Sequence, residues 1–130
     1  MNQIYREQIM EHYRNPQNYG HLDSFSFAQK ESNPFCGDEI ELEVKLEGDR
    51  ISDIKFSGSG CSISRASASM LTEFVKGKSL NDVKALKRDD ILDLMEMPLG
   101  PVRIKCAVIS LIALKNGIRI YEEKNGLPEN

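Results

Sequence analysis

The sequence predicts an α+β domain: a three-stranded antiparallel sheet with helices packed on one face, and an N-terminal helix. From Glu39 to Glu47 charged residues alternate strictly with apolar ones, which is the period of a strand with one solvated face. The strand signals lie in the N-terminal half of the chain, whereas the second half carries mostly helical spacing. This separation of strands from helices is typical of the α+β class.

The first element is a helix, predicted over residues 2–14. Its apolar positions recur four residues apart at Tyr5, Ile9 and Tyr13, so they share one helical face. Pro16 ends this helix, because the residue before a proline disfavours helical geometry.

Three strands follow. Phe25 and Phe27 alternate weakly and predict the first strand. The segment 40–46 gives the strongest strand signal, and the charged turn after it leads into a third strand. Together the second and third strands form an antiparallel hairpin. The change of parity between Ile51 and Ile54 predicts a β-bulge in the third strand.

Two long helices are predicted in the second half. The first begins after a glycine-rich segment, ends at Gly77 and places Cys61 at its N-terminus. One face of it carries small and apolar residues: Ile63, Ala66, Met70 and Phe74. The last helix starts near Pro101, runs toward Gly117 and has Cys106 in its early turns. Its wide apolar stripe consists of Ile104, Val108, Leu111, Ile112 and Leu114.

Two short helices are predicted between the long ones. Ser79 and Asp82 resemble a capping box that opens the first of them. Asp89 or Asp90 is placed to cap the second.

Composition excludes several classes of protein. The 130 residues fit one domain, 1–130, with a polar tail at about 122–130. A net charge of −3 and a pI near 5.4 argue against nucleic acid as a partner. No apolar run is long enough to span a membrane, and the N-terminus does not read as a signal peptide, so a cytoplasmic location is expected.

Three cysteines carry the candidate chemistry: Cys36, Cys61 and Cys106. Three thiols cannot all pair within one chain, so free thiols, metal ligands or redox groups are expected. Each cysteine lies at a predicted element end, where side chains from distant segments can converge. A helix N-terminus favours the negative charge of a thiolate, which makes Cys61 a natural ligand or nucleophile.

Three thiolates and one further ligand would complete a tetrahedral zinc site or hold a small iron–sulfur unit. Asp38, two residues after Cys36, is the fourth candidate. An aspartate in a loop often bonds its own backbone instead, so ligand and turn residue both remain open for Asp38. His12 and His21 lie away from the cysteine motifs and are not expected to be ligands.

Four runs of the sequence resemble one known family. They are the segments 11–16 (Glu-His-Tyr-Arg-Asn-Pro), 33–38 (Asn-Pro-Phe-Cys-Gly-Asp), 58–69 (Gly-Ser-Gly-Cys-Ser-Ile-Ser-Arg-Ala-Ser-Ala-Ser) and 103–107 (Arg-Ile-Lys-Cys-Ala). In order and spacing they resemble the U-type iron–sulfur cluster assembly family, which comprises IscU, SufU and the N-terminal domain of NifU. The sequence around Cys106 is most similar to that of SufU.

The resemblance implies a scaffold and sulfur acceptor rather than a free-standing enzyme. It implies Cys36, Asp38, Cys61 and Cys106 as the ligands of zinc or of an iron–sulfur cluster, with a two-iron two-sulfur cluster expected. The implied partners are a pyridoxal-phosphate cysteine desulfurase and apo iron–sulfur acceptor proteins. The alternative is a zinc-dependent sulfurtransferase that relays persulfide sulfur without holding a cluster.

Cys36 is the predicted persulfide acceptor. It lies on a glycine-containing loop that can move toward a desulfurase, whereas a packed helix holds Cys106. Cys106 is the other candidate acceptor, because the nearby cations of Lys105 and Arg103 favour a thiolate.

Overall fold

The computed structural model describes residues 3–34, 37–96 and 99–126. Its elements, in chain order, are α1 (Gln3–Arg14), β1 (Phe27–Asn33), β2 (Asp38–Glu47), β3 (Arg50–Ser59), α2 (Ser62–Val75), α3 (Leu80–Lys84), α4 (Arg88–Met95) and α5 (Pro101–Lys124). The α+β class, the three strands and the N-terminal helix are therefore confirmed. Within the described ranges no helix is both long and apolar enough to cross a membrane.

The sheet is an antiparallel meander in the order β1-β2-β3. The predicted bulge is present: Leu46 pairs with Ile51 while Lys45 pairs with Asp53, so Ser52 is the extra residue. The Ser52 hydroxyl donates to the Lys45 carbonyl at 3.1 Å. This hydrogen bond ties the extra residue to the neighbouring strand and fixes the register on both sides of it.

The core lies between one face of the sheet and the helices. Inward-facing residues of β2 and β3, among them Leu42 and Phe56, are fully buried, as the alternation predicts. Helix α2 contacts β3, helix α5 contacts β1 and β2, and α1 packs on α2. Phe74 differs from its predicted place on the buried face: it is 39% exposed, near the end of α2, with the Lys78 ammonium 4.4 Å from its ring centroid.

Arg65 fastens the N-terminal segment to α2. Its guanidinium lies 5.4 Å from the ring centroid of Tyr13 on α1 and 5.2 Å from that of Tyr19, in the segment that follows α1. The Tyr19 ring in turn packs edge-on against Phe56 of β3. Cation–π contacts of this kind contribute about 0.5–1 kcal/mol each at exposed sites. Through them Arg65 connects α2 to α1 and to the segment that follows α1.

The caps of the short helices agree only in part with expectation. The Ser79 hydroxyl accepts the Asp82 N–H at 3.1 Å, as predicted for α3. For α4 the N-cap is Lys87 rather than Asp89 or Asp90. Asp90 instead accepts the Lys87 N–H at 2.7 Å, so its carboxylate still satisfies a backbone donor at this helix start.

Helix α5 continues past Gly117 to Lys124, farther than the sequence suggests. Gly117 is required by close packing, because a Cβ there would lie 2.7 Å from the Phe27 ring of β1. The helix ends with a buried ion pair in which Lys84 contacts both carboxylate oxygens of Glu122, at 2.9 and 3.0 Å. Residues 122–124, expected in the polar tail, are thus helical, while 127–130 lie outside the described part of the chain.

Gly117→Ala should destabilise the protein. The added methyl group would displace the Phe27 ring, and overpacking of this kind costs about 1–3 kcal/mol. The free energy of unfolding from a denaturant titration measures this loss. Gly100→Ala meets open space, so it removes a glycine without overpacking. Gly100 is the N-cap of α5, where alanine is less favourable than glycine, so a loss of about 1 kcal/mol or less is expected there.

Candidate metal centre

Three elements that are distant in sequence meet at one point. Asp38 opens β2, Cys61 is the N-cap of α2, and Cys106 lies in the second turn of α5. One ligand atom from each lies within 4.8 Å of the other two. Asp38 and Cys106 are buried, at 1% and 3% exposure, while Cys61 is exposed. The cluster is therefore closed by the core on one side and open to solvent through Cys61.

Asp38 joins the start of β2 to the start of α2. Its Oδ1 accepts the backbone N–H of Cys61 at 2.8 Å, and its Oδ2 lies 3.8 Å from the Cys61 Sγ. The N–H groups at a helix start have no partner within the helix, so this bond satisfies one of them. Asp38 thus has a structural bond through one oxygen and a second oxygen facing the thiol.

Gly60 leaves the space in which these groups meet. A Cβ at Gly60 would collide with the Ser64 hydroxyl and lie 2.8 Å from Asp38 Oδ1. Gly58, two residues earlier, has φ +130° and passes directly over the Glu39 carbonyl, where no side chain fits. The two glycines therefore let β3 pass close to the start of β2 before the chain reaches Cys61.

The three groups fit one metal ion. A sulfur ligand about 2.3 Å and a carboxylate oxygen about 2.1 Å from a tetrahedral zinc ion lie about 3.6 Å apart, and the Cys61 Sγ to Asp38 Oδ2 distance is 3.8 Å. A carboxylate buried as deeply as that of Asp38 is costly without a cation to compensate it. The donor set and spacing thus suit a metal ion that has one oxygen and two sulfur ligands from the described residues.

Cys36, the remaining candidate ligand, lies outside the described residues. Gly37 follows it with φ +68°, and the Gly37 N–H donates to the Asn33 carbonyl at 2.9 Å. This bond closes the turn that leads into Asp38. The role of Cys36 as ligand and acceptor therefore stays a prediction.

Neither histidine belongs to the three-residue cluster. The His12 Nδ1 is 2.7 Å from the Ser69 hydroxyl, and the His21 Nδ1 is 2.9 Å from Glu43. Burial of Glu43 raises the pKa of its carboxyl, but hydrogen bonds from His21 and from the Leu22 N–H outweigh that effect and hold the pKa below its ordinary value. Both histidines thus fasten the N-terminal segment to the rest of the fold.

Ser64 is a site residue that sequence reasoning passed over. The sequence offers no histidine and aspartate to activate it as a nucleophile, so a serine hydrolase site is not indicated. In the structure it is fully buried, and its Oγ lies 3.8 Å from the Cys61 Sγ. The available signal was its spacing of three residues from Cys61, which places both on one turn of the same helix.

Comparison with known proteins decides the family. A family model described as "NifU-like N terminal domain" matches residues 4–127. The chain belongs to the U-type iron–sulfur cluster assembly family. The fold agrees, since the N-terminal part of a nitrogen-fixing NifU-like protein from Brucella abortus superposes with a TM-score of 0.75 at 22% identity, over 93% of this chain and 96% of that one.

Two relatives of this U-type protein are named for different functions. The zinc-dependent sulfurtransferase SufU of Bacillus subtilis is 42% identical, over 94% of each chain. The iron–sulfur cluster assembly scaffold protein IscU of Haemophilus influenzae is 38% identical, over 94% of this chain and 98% of its own. The alignment with SufU has 139 positions, more than the 130 residues of this chain, so SufU carries residues without a counterpart here.

Proposed function

We propose that this protein is a scaffold and sulfur acceptor in iron–sulfur cluster assembly, with a metal centre formed by Cys36, Asp38, Cys61 and Cys106. The observation that carries the proposal is the convergence of Asp38, Cys61 and Cys106 from three elements within 4.8 Å. Three thiolates and a carboxylate suit zinc or the iron of an iron–sulfur cluster. A two-iron two-sulfur cluster would divide these four ligands between its two irons.

The mixed ligand set suits transient binding. Thiolates are the preferred ligands of iron–sulfur units, and a carboxylate is a harder and less suitable one. Asp38 also accepts the Cys61 N–H, so its carboxylate stays at the site when it leaves the metal. A cluster held in this way can be built and then passed to apo iron–sulfur acceptor proteins.

The sulfur would come from a pyridoxal-phosphate cysteine desulfurase, as expected for this family. A cysteine thiolate of this chain attacks the outer sulfur of the persulfide on the desulfurase. A new S–S bond forms to that cysteine, the S–S bond to the enzyme breaks, and the enzyme cysteine leaves as a thiolate. The exchange needs no added oxidant or reductant, and the cytoplasm, predicted from the sequence, is a suitable place for such free thiols.

The choice of acceptor cysteine depends on access. Cys106 is 3% exposed, which opposes direct attack on a partner's persulfide. Cys61 is exposed and lies at the start of α2, where a thiolate is favoured, so it is a second candidate. We retain Cys36 as the acceptor, because the sequence predicts a glycine-containing loop around it, and such a loop can move toward a partner.

The persulfide assignment has a direct test. The protein is incubated with a desulfurase and cysteine, and intact mass followed by peptide mapping locates the added sulfur. We expect it on Cys36, with Cys36→Ser losing most of the label and Cys106→Ser keeping it. Sulfur found on Cys61 or Cys106 would contradict the assignment.

The scaffold function is separated from zinc-dependent sulfur relay by the metal itself. The relay is favoured by the 42% identity to a relative named as a zinc-dependent sulfurtransferase. Metal analysis and the visible spectrum of protein purified without oxygen distinguish the two. A coloured, iron- and sulfide-containing protein supports the scaffold, and a colourless zinc protein that cannot be reconstituted with iron and sulfide supports the relay.

A further inference from the structure

The Ser64 hydroxyl is surrounded by polar groups of the metal centre. It donates to the Cys61 carbonyl at 3.1 Å, and its oxygen lies 3.8 Å from the Cys61 Sγ, within range of a hydrogen bond from the thiol. Asp38 Oδ2 is the other acceptor at 3.8 Å from this sulfur. Ser64 is fully buried, so bulk water does not compete for its hydroxyl.

The hydroxyl is free to change its acceptor. The Cys61 carbonyl also accepts the Arg65 N–H at 3.2 Å, the first hydrogen bond of α2. If the Ser64 hydroxyl turns away, that carbonyl therefore keeps a partner and no buried polar group is left without one. A serine hydroxyl rotates to suit its surroundings, and only its proton has to move.

Metal binding reverses the role of the Cys61 sulfur. A metal-bound thiolate has no proton to donate and accepts hydrogen bonds instead. Asp38 does not supply one, because a carboxylate that itself binds the metal only accepts hydrogen bonds. The N-cap sulfur also receives no hydrogen bond from the amides of the first turn of α2. Among the described contacts of this sulfur, Ser64 is therefore the group that can donate a hydrogen bond to it.

We propose that Ser64 is a positioning residue of the metal centre, whose hydroxyl turns from the Cys61 carbonyl to the Cys61 sulfur when that sulfur binds a metal ion. This inference rests on the proposed function, because it requires a metal on Cys61. Hydrogen bonds to a ligating sulfur withdraw charge from the metal–sulfur bond and tune metal sites of this kind. Ser64 thereby weakens the bond from Cys61 and favours release of the metal or cluster.

The test uses the full-length protein loaded with cobalt(II), whose sulfur-to-metal charge-transfer band reports the charge on the thiolates. Ser64→Ala should move this band to longer wavelength, because an unbonded thiolate gives up an electron more easily. Release of zinc to a chelator should slow about fivefold, the size expected from one hydrogen bond. Circular dichroism confirms that the metal-free variant is folded.

Ser110→Ala is the matched control. Ser110 is also a buried serine one turn after a cysteine, and its hydroxyl has no hydrogen-bond partner among the described residues. Its substitution should leave both the band and the release rate unchanged. An unshifted band in Ser64→Ala, or faster zinc release from it, overturns the proposal. A parent protein that shows no thiolate-to-cobalt band overturns the proposed function and this inference with it.

Discussion

Cys61→Ser and Cys106→Ser should each lower the affinity for zinc more than about 100-fold. Loss of a group that only supports a ligand costs about 10–100-fold, and these variants remove a ligand itself. A serine hydroxyl is a poor ligand for a soft ion, and it cannot replace a thiolate at neutral pH. The two positions provide two of the three described ligand atoms. Cys36→Ser should have an effect of the same order if it is the fourth ligand. Competition with a chromophoric chelator measures each affinity.

The control for this prediction is His21→Gln. It removes a nitrogen that could bind a metal but that lies outside the cluster, bonded to Glu43. Its zinc affinity should stay within about twofold of the parent, since it removes no ligand. Full stoichiometry and unchanged affinity in the cysteine variants would show that the cluster is not the metal centre.

Asp38→Asn and Asp38→Ala should both prolong the life of a reconstituted iron–sulfur cluster severalfold, because they remove the hard carboxylate and leave the thiolates. The two variants differ in the second contact of Asp38. An asparagine oxygen can still accept the Cys61 N–H, whereas alanine leaves this helix-end donor without its 2.8 Å bond. Asp38→Ala should therefore also lower the free energy of unfolding by about 1 kcal/mol relative to Asp38→Asn.

Cluster decay is followed by the loss of visible absorption after a chelator is added, and unfolding is measured on the metal-free proteins. Decay at the parent rate in both variants would exclude Asp38 as the labile ligand. Slower decay in Asp38→Asn with faster decay in Asp38→Ala would assign the faster decay of the alanine variant to the lost hydrogen bond at the start of α2. The pair thus separates the ligand role of the carboxylate from its structural role.

The order of elements could be predicted from local sequence. Alternation along β2 depends on the two-residue period of a strand, and the change of parity before Ile54 reports the extra residue Ser52 directly. The N-cap position of Cys61 follows from the glycines before it and the helical spacing after it. The end of α5 was harder to predict, because a glycine such as Gly117 often ends a helix. Here the glycine instead makes room for the Phe27 ring, which only the structure shows.

The sequence by itself determined the fold class, the family and the residue types of the candidate metal centre, since each depends on short-range patterns and motifs. Only the tertiary structure decided that Asp38 bonds the Cys61 backbone, that Cys106 is buried while Cys61 is exposed, and that Ser64 faces the sulfur. These contacts join residues from different elements, and their distances depend on how β2, α2 and α5 pack together. No local pattern encodes such distances, because packing of the whole core sets them.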